Sequence, residues 1–194
     1  MGDRRYVAVS GPPGSGKSTL APMVADGLAL PLLAKDTIKE ALLRATPAAG
    51  VDASRRVGQA AMEVLFALAA DSPTGAVLDA NFHRTLAAPS ILGLPGRTLE
   101  VFCRCDREVA RRRYRARADG RDPGHFDAAR SDQEIWHDEV NRPVAGGWPV
   151  VEVDTNGPVA LEELLGRLAD LWRAAAAGPP GHPPQTPGTV GPWR

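Results

Sequence analysis

The chain has 194 residues, 43% hydrophobic and 24% charged, which suits one domain with an ordinary core and excludes a wholly disordered or membrane-embedded chain. Its formal net charge of zero argues against a broadly basic nucleic-acid-binding surface, though not against a local patch. No stretch approaches the roughly 18–20 apolar residues that span a bilayer, and Met1-Gly2-Asp3-Arg4-Arg5 runs straight into an apolar run without a signal-peptide core, so a cytoplasmic protein is expected.

Residues 6–10 read as a first strand and residues 17–28 as the helix that follows it, with Pro22 inside that helix, where it removes a hydrogen bond to the Ser18 carbonyl. Residues 31–34 form a short second strand, Asp36 opens a helix to about 44, and 46–52 read as a loop. Residues 54–70 carry Val57, Ala61, Val64, Leu65 and Leu68 at helical spacing. A third strand at 75–79, a helix at 84–92 and a fourth strand at 98–105 come next. Asp106 stands where it N-caps a strongly basic helix to about 118. Residues 119–127, rich in Gly, Pro and charge, predict a mobile loop; 131–141 predict a helix, 150–153 a fifth strand, and 158–176 a final helix. From 177 to 194 the chain is Pro/Gly-rich and predicts a disordered tail, so residues 1–176 make one domain with a lid at about 113–127. Strands alternating with helices predict a parallel α/β sheet. Cys103 and Cys105, the only cysteines, point to one face of a strand, cannot easily bridge, and read as buried thiols of a reducing compartment.

The turn between the first strand and helix is Gly11-Pro12-Pro13-Gly14-Ser15-Gly16-Lys17-Ser18-Thr19, a G-x-x-x-x-G-K-S phosphate-binding loop in its required strand–loop–helix setting. The glycines let backbone N–H groups turn inward around a polyphosphate, Lys17 places a cation on the β- and γ-phosphates, and the Ser18 hydroxyl can ligate Mg²⁺. Three further features point to phosphoryl transfer. Lys35-Asp36 ends the second strand, where ligands gather in a doubly wound sheet, so Asp36 can take the proton of an attacking hydroxyl; Asp36 can also simply N-cap its helix. Leu78-Asp79-Ala80-Asn81-Phe82-His83-Arg84 ends an apolar strand in a carboxylate placed to hold Mg²⁺, with Asn81, His83 and Arg84 following into the cleft. His83 stands alone in sequence, which suits a hydrogen bond to substrate or surface exposure better than a metal ligand. The run Arg111-Arg112-Arg113-Tyr114-Arg115-Ala116-Arg117, then Arg121, puts Arg113 and Arg117 on one helix face at the start of the lid. Most of these arginines read as a solvated face, with one or two left for triphosphate oxygens, over which the loop can close and exclude water.

With these motifs in this order, the chain resembles the P-loop small-molecule kinases of the nucleoside-monophosphate-kinase-like class, and within it the chloramphenicol phosphotransferase, zeta-toxin and polynucleotide 5′-kinase group. The likeness rests on the GPPGSGKST loop, the Asp after strand two, the D-x-N element after strand three and the R-x-x-x-R lid helix, and spans about residues 5–172. It implies a three-layer α/β P-loop NTPase sandwich with a five-stranded parallel sheet in the order 2-3-1-4-5. It implies ATP and Mg²⁺ as nucleotide and cofactor, Lys17 and Ser18 at phosphates and metal, Asp36 as base, and Arg117, with Arg113 and Arg121, as lid contacts. It places Asp154-Thr155-Asn156-Gly157 beside the adenine, with Arg113 against the base. The lid is short, lacks a cysteine knuckle and lacks the D-G-x-x-D-D pattern of true nucleoside-monophosphate kinases, which disfavours a mononucleotide acceptor.

The leading expectation is an ATP- and Mg²⁺-dependent kinase of a small hydroxylated acceptor such as an antibiotic, a sugar or a nucleoside-like metabolite. A 5′-hydroxyl polynucleotide kinase is the second reading, disfavoured by 5% aromatics and neutral charge. A nucleotide switch that hydrolyses ATP without an acceptor is the third. The sequence indicates no membrane partner and leaves the oligomeric state and the acceptor open.

Overall fold

The computed structural model describes residues 4–47, 49–117 and 131–177. The expected lid loop at 119–127, including Arg121, and the tail lie outside these residues. In chain order the elements are β1 (Arg5–Ser10), α1 (Lys17–Leu28), β2 (Leu32–Ala34), α2 (Lys35–Ala45), α3 (Val51–Asp71), β3 (Gly75–Asp79), α4 (Arg84–Leu92), β4 (Arg97–Arg104), α5 (Arg107–Ala116), α6 (Asp132–Ile135), β5 (Val150–Asp154) and α7 (Leu161–Ala177). The strands form one parallel sheet in the order β2-β3-β1-β4-β5, as the resemblance implied.

The sheet is covered on both faces, so its central strands read as continuous apolar runs. Side chains alternate across β1: Val7 and Val9 enter one core with Leu20, Val24, Leu164 and Leu168 of α1 and α7, while Tyr6 and Ala8 enter the other with Leu65, Phe82 and Ile91. At the carboxyl edge, parallel register places Val9 of β1 beside Asp79 of β3, and Asp79 beside Ala34 of β2. The phosphate loop, Lys35-Asp36 and Asp79 therefore emerge at one edge, because they end three adjacent strands.

Four local expectations need correction. α3 begins at Val51 rather than 54, and its inward face is Ser54, Ala61, Leu65 and Ala69, whereas Val64 and Leu68 are exposed. Small residues let α3 lie close to its neighbours, so the bulkiest apolar side chains do not mark the contact line. The helix expected over 131–141 stops at Ile135, because Trp136 leaves helical geometry and turns to the phosphate loop. Asp36 is inside the first turn of α2, and Ala34 occupies the N-cap position, so Asp36 does not cap the helix. Asp106 does occupy the N-cap position of α5, but its side chain makes no capping bond. Helix α1 runs through Pro22 unbroken, and nothing in the structure explains the proline. No helix among the described residues is long and apolar enough to cross a membrane.

Candidate active site

The phosphate loop is shaped by glycines at positive φ. Gly14 has φ +83°, and a Cβ there would lie 2.1 Å from the Ala110 carbonyl oxygen of α5. Gly11, at φ +138°, faces the Cys103 carbonyl oxygen, which a Cβ would meet at 2.8 Å, and Gly16 enters α1 at φ +91°. The loop is thus pressed between β4 and α5.

Lys17 is buried, and its Nζ donates to the Pro12 carbonyl at 3.4 Å. Burial lowers its pKa, while the carboxylates of Asp79 and Asp36 act in the opposite direction. Asp79 is also buried. Burial raises its pKa, and Lys17 together with a hydrogen bond from Ser18 pulls it back. Its Oδ1 is buried without a hydrogen-bond partner, as are Ser15 Oγ and Asn81 Oδ1. Orphaned buried oxygens are uncommon, and the one on Asp79, beside Lys17 and Ser18, suits a donor or cation from outside the chain. A hard divalent cation favours oxygen ligands, so the Ser18 hydroxyl and the Asp79 carboxylate fit Mg²⁺. The described residues contain no cluster of three or more His, Cys, Asp or Glu that would hold a metal ion.

Asp36 lies close enough for its charge to act on both Lys17 and Asp79. Its Oδ1 accepts from Lys35 Nζ at 3.2 Å, and its side chain is 42% exposed. Lys17, Ser18, Asp36 and Asp79 are therefore brought together. Arg117, the C-cap residue of α5, donates from Nε to the Arg113 carbonyl at 3.4 Å, and its charge also reaches Lys17 and Asp79.

Other sequence candidates have different surroundings. Arg113 donates to the Thr155 and Asn156 carbonyls at 2.7 and 2.8 Å, so its fork fastens the segment after β5. Asn156 Oδ1 accepts the Asp106 N–H at 2.9 Å, which ties the same segment to the start of α5. His83 is not alone in the fold: its ring packs against His137 at 4.6 Å between centroids. Arg84 opens α4 as an exposed residue whose backbone N–H donates to the Glu139 carbonyl. Glu139 Oε2 accepts from Thr85 N and Oγ at 2.8 and 2.9 Å, which lowers the Glu139 pKa. Cys103 is a free, buried thiol that burial pushes up to about 12, so it is no nucleophile, and Cys105 is also free.

Sequence reasoning missed Trp136 and Glu100. The Trp136 indole donates to the Pro13 carbonyl at 3.0 Å, packs edge-on to Tyr114 at 5.3 Å and lies beneath the Arg111 guanidinium. Arg111 also pairs with Asp132 at 2.7 Å. Glu100 is wholly buried in β4 and accepts from Ser10 Oγ, Val144 N, Ala145 N and Trp148 Nε1 at 2.6–3.1 Å. A charged residue inside an apolar strand was the available signal for Glu100; an isolated tryptophan gave none.

Residues 7–143 match the AAA domain family. The chain belongs to that family. A comparison with curated proteins finds no match. Among solved structures, a "putative kinase" from Chloroflexus aurantiacus J-10-fl is 28% identical with a TM-score of 0.78, over 87% of this chain and 98% of that one. A gluconokinase from Sinorhizobium meliloti 1021 is 22% identical with a TM-score of 0.54, over 91% and 97% of the two chains. The APS kinase of Mycobacterium tuberculosis, solved with AMPPNP and APS, is 21% identical with a TM-score of 0.56, over 89% and 99%. The architecture of this AAA-domain chain is the P-loop kinase fold of these neighbours.

Proposed function

We propose that the protein is an ATP- and Mg²⁺-dependent phosphotransferase acting on a hydroxyl of a small molecule, with Asp36 as general base. The observation that carries this reading is the convergence of Lys17, Ser18, Asp36 and Asp79 at one sheet edge, with an Asp79 oxygen left without a partner. The fold shared with gluconokinase and APS kinase supports it.

The backbone N–H groups of the phosphate loop cradle the triphosphate, and Lys17 donates to its β- and γ-oxygens. Bound phosphate charge favours the protonated Lys17 that burial alone disfavours. Ser18 and Asp79 would hold Mg²⁺, which would supply neutralising charge for the transferred group. Asp36 orients the acceptor hydroxyl and takes its proton while the acceptor oxygen bonds to the γ-phosphorus. The bond from that phosphorus to the β–γ bridging oxygen breaks, and ADP leaves. Arg117, at the root of the lid, and Arg121 neutralise the transferred group. Asn81, His83 and Arg84 border the acceptor, and Arg113 and Asn156 shape the adenine end. The narrower likeness to the chloramphenicol phosphotransferase group belongs to this proposal.

The test is γ-phosphate transfer from ATP with Mg²⁺ to hydroxylated antibiotics, sugars, nucleosides and 5′-hydroxyl oligonucleotides, with Asp36→Asn alongside. A labelled small molecule whose labelling is lost in the variant upholds the reading. Labelling of oligonucleotides alone replaces it with a polynucleotide kinase. ATP hydrolysis without any labelled acceptor, unchanged in Asp36→Asn, removes Asp36 as base and favours a switch.

A further inference from the structure

We propose that the acceptor carries a negative charge of its own, as a carboxylate, phosphate or sulfate group, and that Lys35 and Lys39 form its seat. The inference deepens the kinase reading and rests on it.

The chain uses arginine almost everywhere it needs a cation: of 23 basic residues only Lys17, Lys35 and Lys39 are lysines. One serves the phosphate loop. The other two stand four residues apart on α2, on one helix face, immediately after the strand end that abuts Asp79. Their face meets Ser54 and Gly58 of α3, also four apart. Lys39 Nζ donates to Ser54 Oγ at 2.8 Å, and a Cβ on Gly58 would lie 3.8 Å from Lys35 Nζ and 4.0 Å from Lys39 Cε. Both lysine ends therefore converge over a residue without a side chain.

Lys35 links this seat to the chemistry. One of its three N–H donors goes to Asp36 Oδ1 at 3.2 Å, so a group held by the lysines sits beside the base. Two carboxylates near the start of α3, Asp52 in its first turn and Glu134 across from it, are paired with Arg55 at 3.1 and 2.7 Å. A compact ammonium on a flexible stem offers three donors as a point charge, unlike the planar fork of a guanidinium. An anionic group on the acceptor would be drawn to the seat while its hydroxyl faces Asp36. Charge-assisted hydrogen bonds in a half-buried setting give roughly 10–100-fold discrimination against a neutral analogue.

The experiment saturates the protein with Mg²⁺ and AMP-PNP, so that the phosphate loop is filled. It then measures calorimetric binding of matched pairs: gluconate against glucose, glycerate against glycerol, and sugar phosphates and sulfates against their parent sugars. Lys35→Met and Lys39→Met keep side-chain volume and are measured alongside, with AMP-PNP affinity and circular dichroism as checks of folding. The expected result is at least one pair in which the anion binds tenfold or more tightly than its partner, with the advantage lost in Lys35→Met. The proposal is overturned if no pair discriminates by charge, or if discrimination survives both substitutions, which would leave the lysines as helix packing. If Lys39→Met does not fold, Lys35→Met alone decides. γ-Phosphate transfer to the same pairs separates the two levels: equal transfer to neutral hydroxyls sinks the anionic seat and upholds the kinase, whereas absence of nucleotide binding sinks the kinase itself.

Discussion

The indole N–H of Trp136 donates to the carbonyl of Pro13 at 3.0 Å, joining residues 123 positions apart and fixing one wall of the phosphate loop from outside. Trp136→Phe keeps an aromatic ring for Tyr114 and Arg111 but removes the donor. A half-buried carbonyl then loses its partner, which costs about 1 kcal/mol of stability. We predict a roughly 3–10-fold rise in KM for ATP with a smaller change in kcat, because the loop loses a restraint rather than a reacting group. Steady-state kinetics with a thermal melt check this; a lowered Tm with unchanged KM would make the contact structural only.

With Asp79 as the proposed metal ligand, we predict a pH-dependent need for metal. Its pKa is raised by burial, so protons compete with Mg²⁺ to a higher pH than at an exposed aspartate. The half-saturating Mg²⁺ concentration is expected to rise as pH falls toward the folded-state pKa of Asp79. Asp79→Asn should raise it at least tenfold at neutral pH and flatten its pH dependence. The sign for stability follows from the same shift. Without metal, the contribution of Asp79 is fully favourable below the unfolded carboxyl value and is lost as pH rises through the raised folded value, so Mg²⁺ with nucleotide should increase Tm most at neutral pH.

Two glycines should respond oppositely to alanine. At Gly14 a Cβ would lie 2.1 Å from a backbone oxygen at φ +83°, so Gly14→Ala should abolish nucleotide binding and lower stability by more than about 3 kcal/mol. Gly166, inside α7 and exposed, has nothing within 4 Å of its would-be Cβ. Gly166→Ala should stabilise the fold by about 0.5–1 kcal/mol with unchanged kinetics. Chemical denaturation of both variants provides the comparison.

Glu100 supplies a further test. All four of its described partners are donors, two on each carboxylate oxygen. Glu100→Gln turns one oxygen into an NH₂ group that faces two donors, so a loss of about 3 kcal/mol is expected in urea unfolding. The segment from Val144 to Trp148 should show the largest gain in hydrogen exchange.

Most of the fold was legible because each element had its own signal. The apolar run of β1, the glycine loop and the helix beginning at Lys17 are local facts, and Asp36 and Asp79 are found at the right edge once strands are parallel. What escaped depended on distant partners. Trp136 ends α6 because of a carbonyl 123 residues away, and His83 acquires a neighbour only when the 137–140 turn folds against α4. The inward face of α3 was misread because Ser54, Ala61 and Ala69 pack by being small, while the larger Val64 and Leu68 remain outside.

The short segment from Ser131 to Trp136 touches three parts of the fold: Glu134 meets Arg55 of α3, Asp132 meets Arg111 of α5, and Trp136 meets the phosphate loop. On the proposed reading, a shift of α3 on acceptor binding would reach the phosphate loop, and reciprocity would require ATP to alter acceptor affinity by the same factor. The Arg55–Glu134 contact is half-exposed, with side chains 54% and 41% accessible. Such pairs contribute about 0.2–1 kcal/mol, so this route can make the two ligands cooperate by no more than about fivefold.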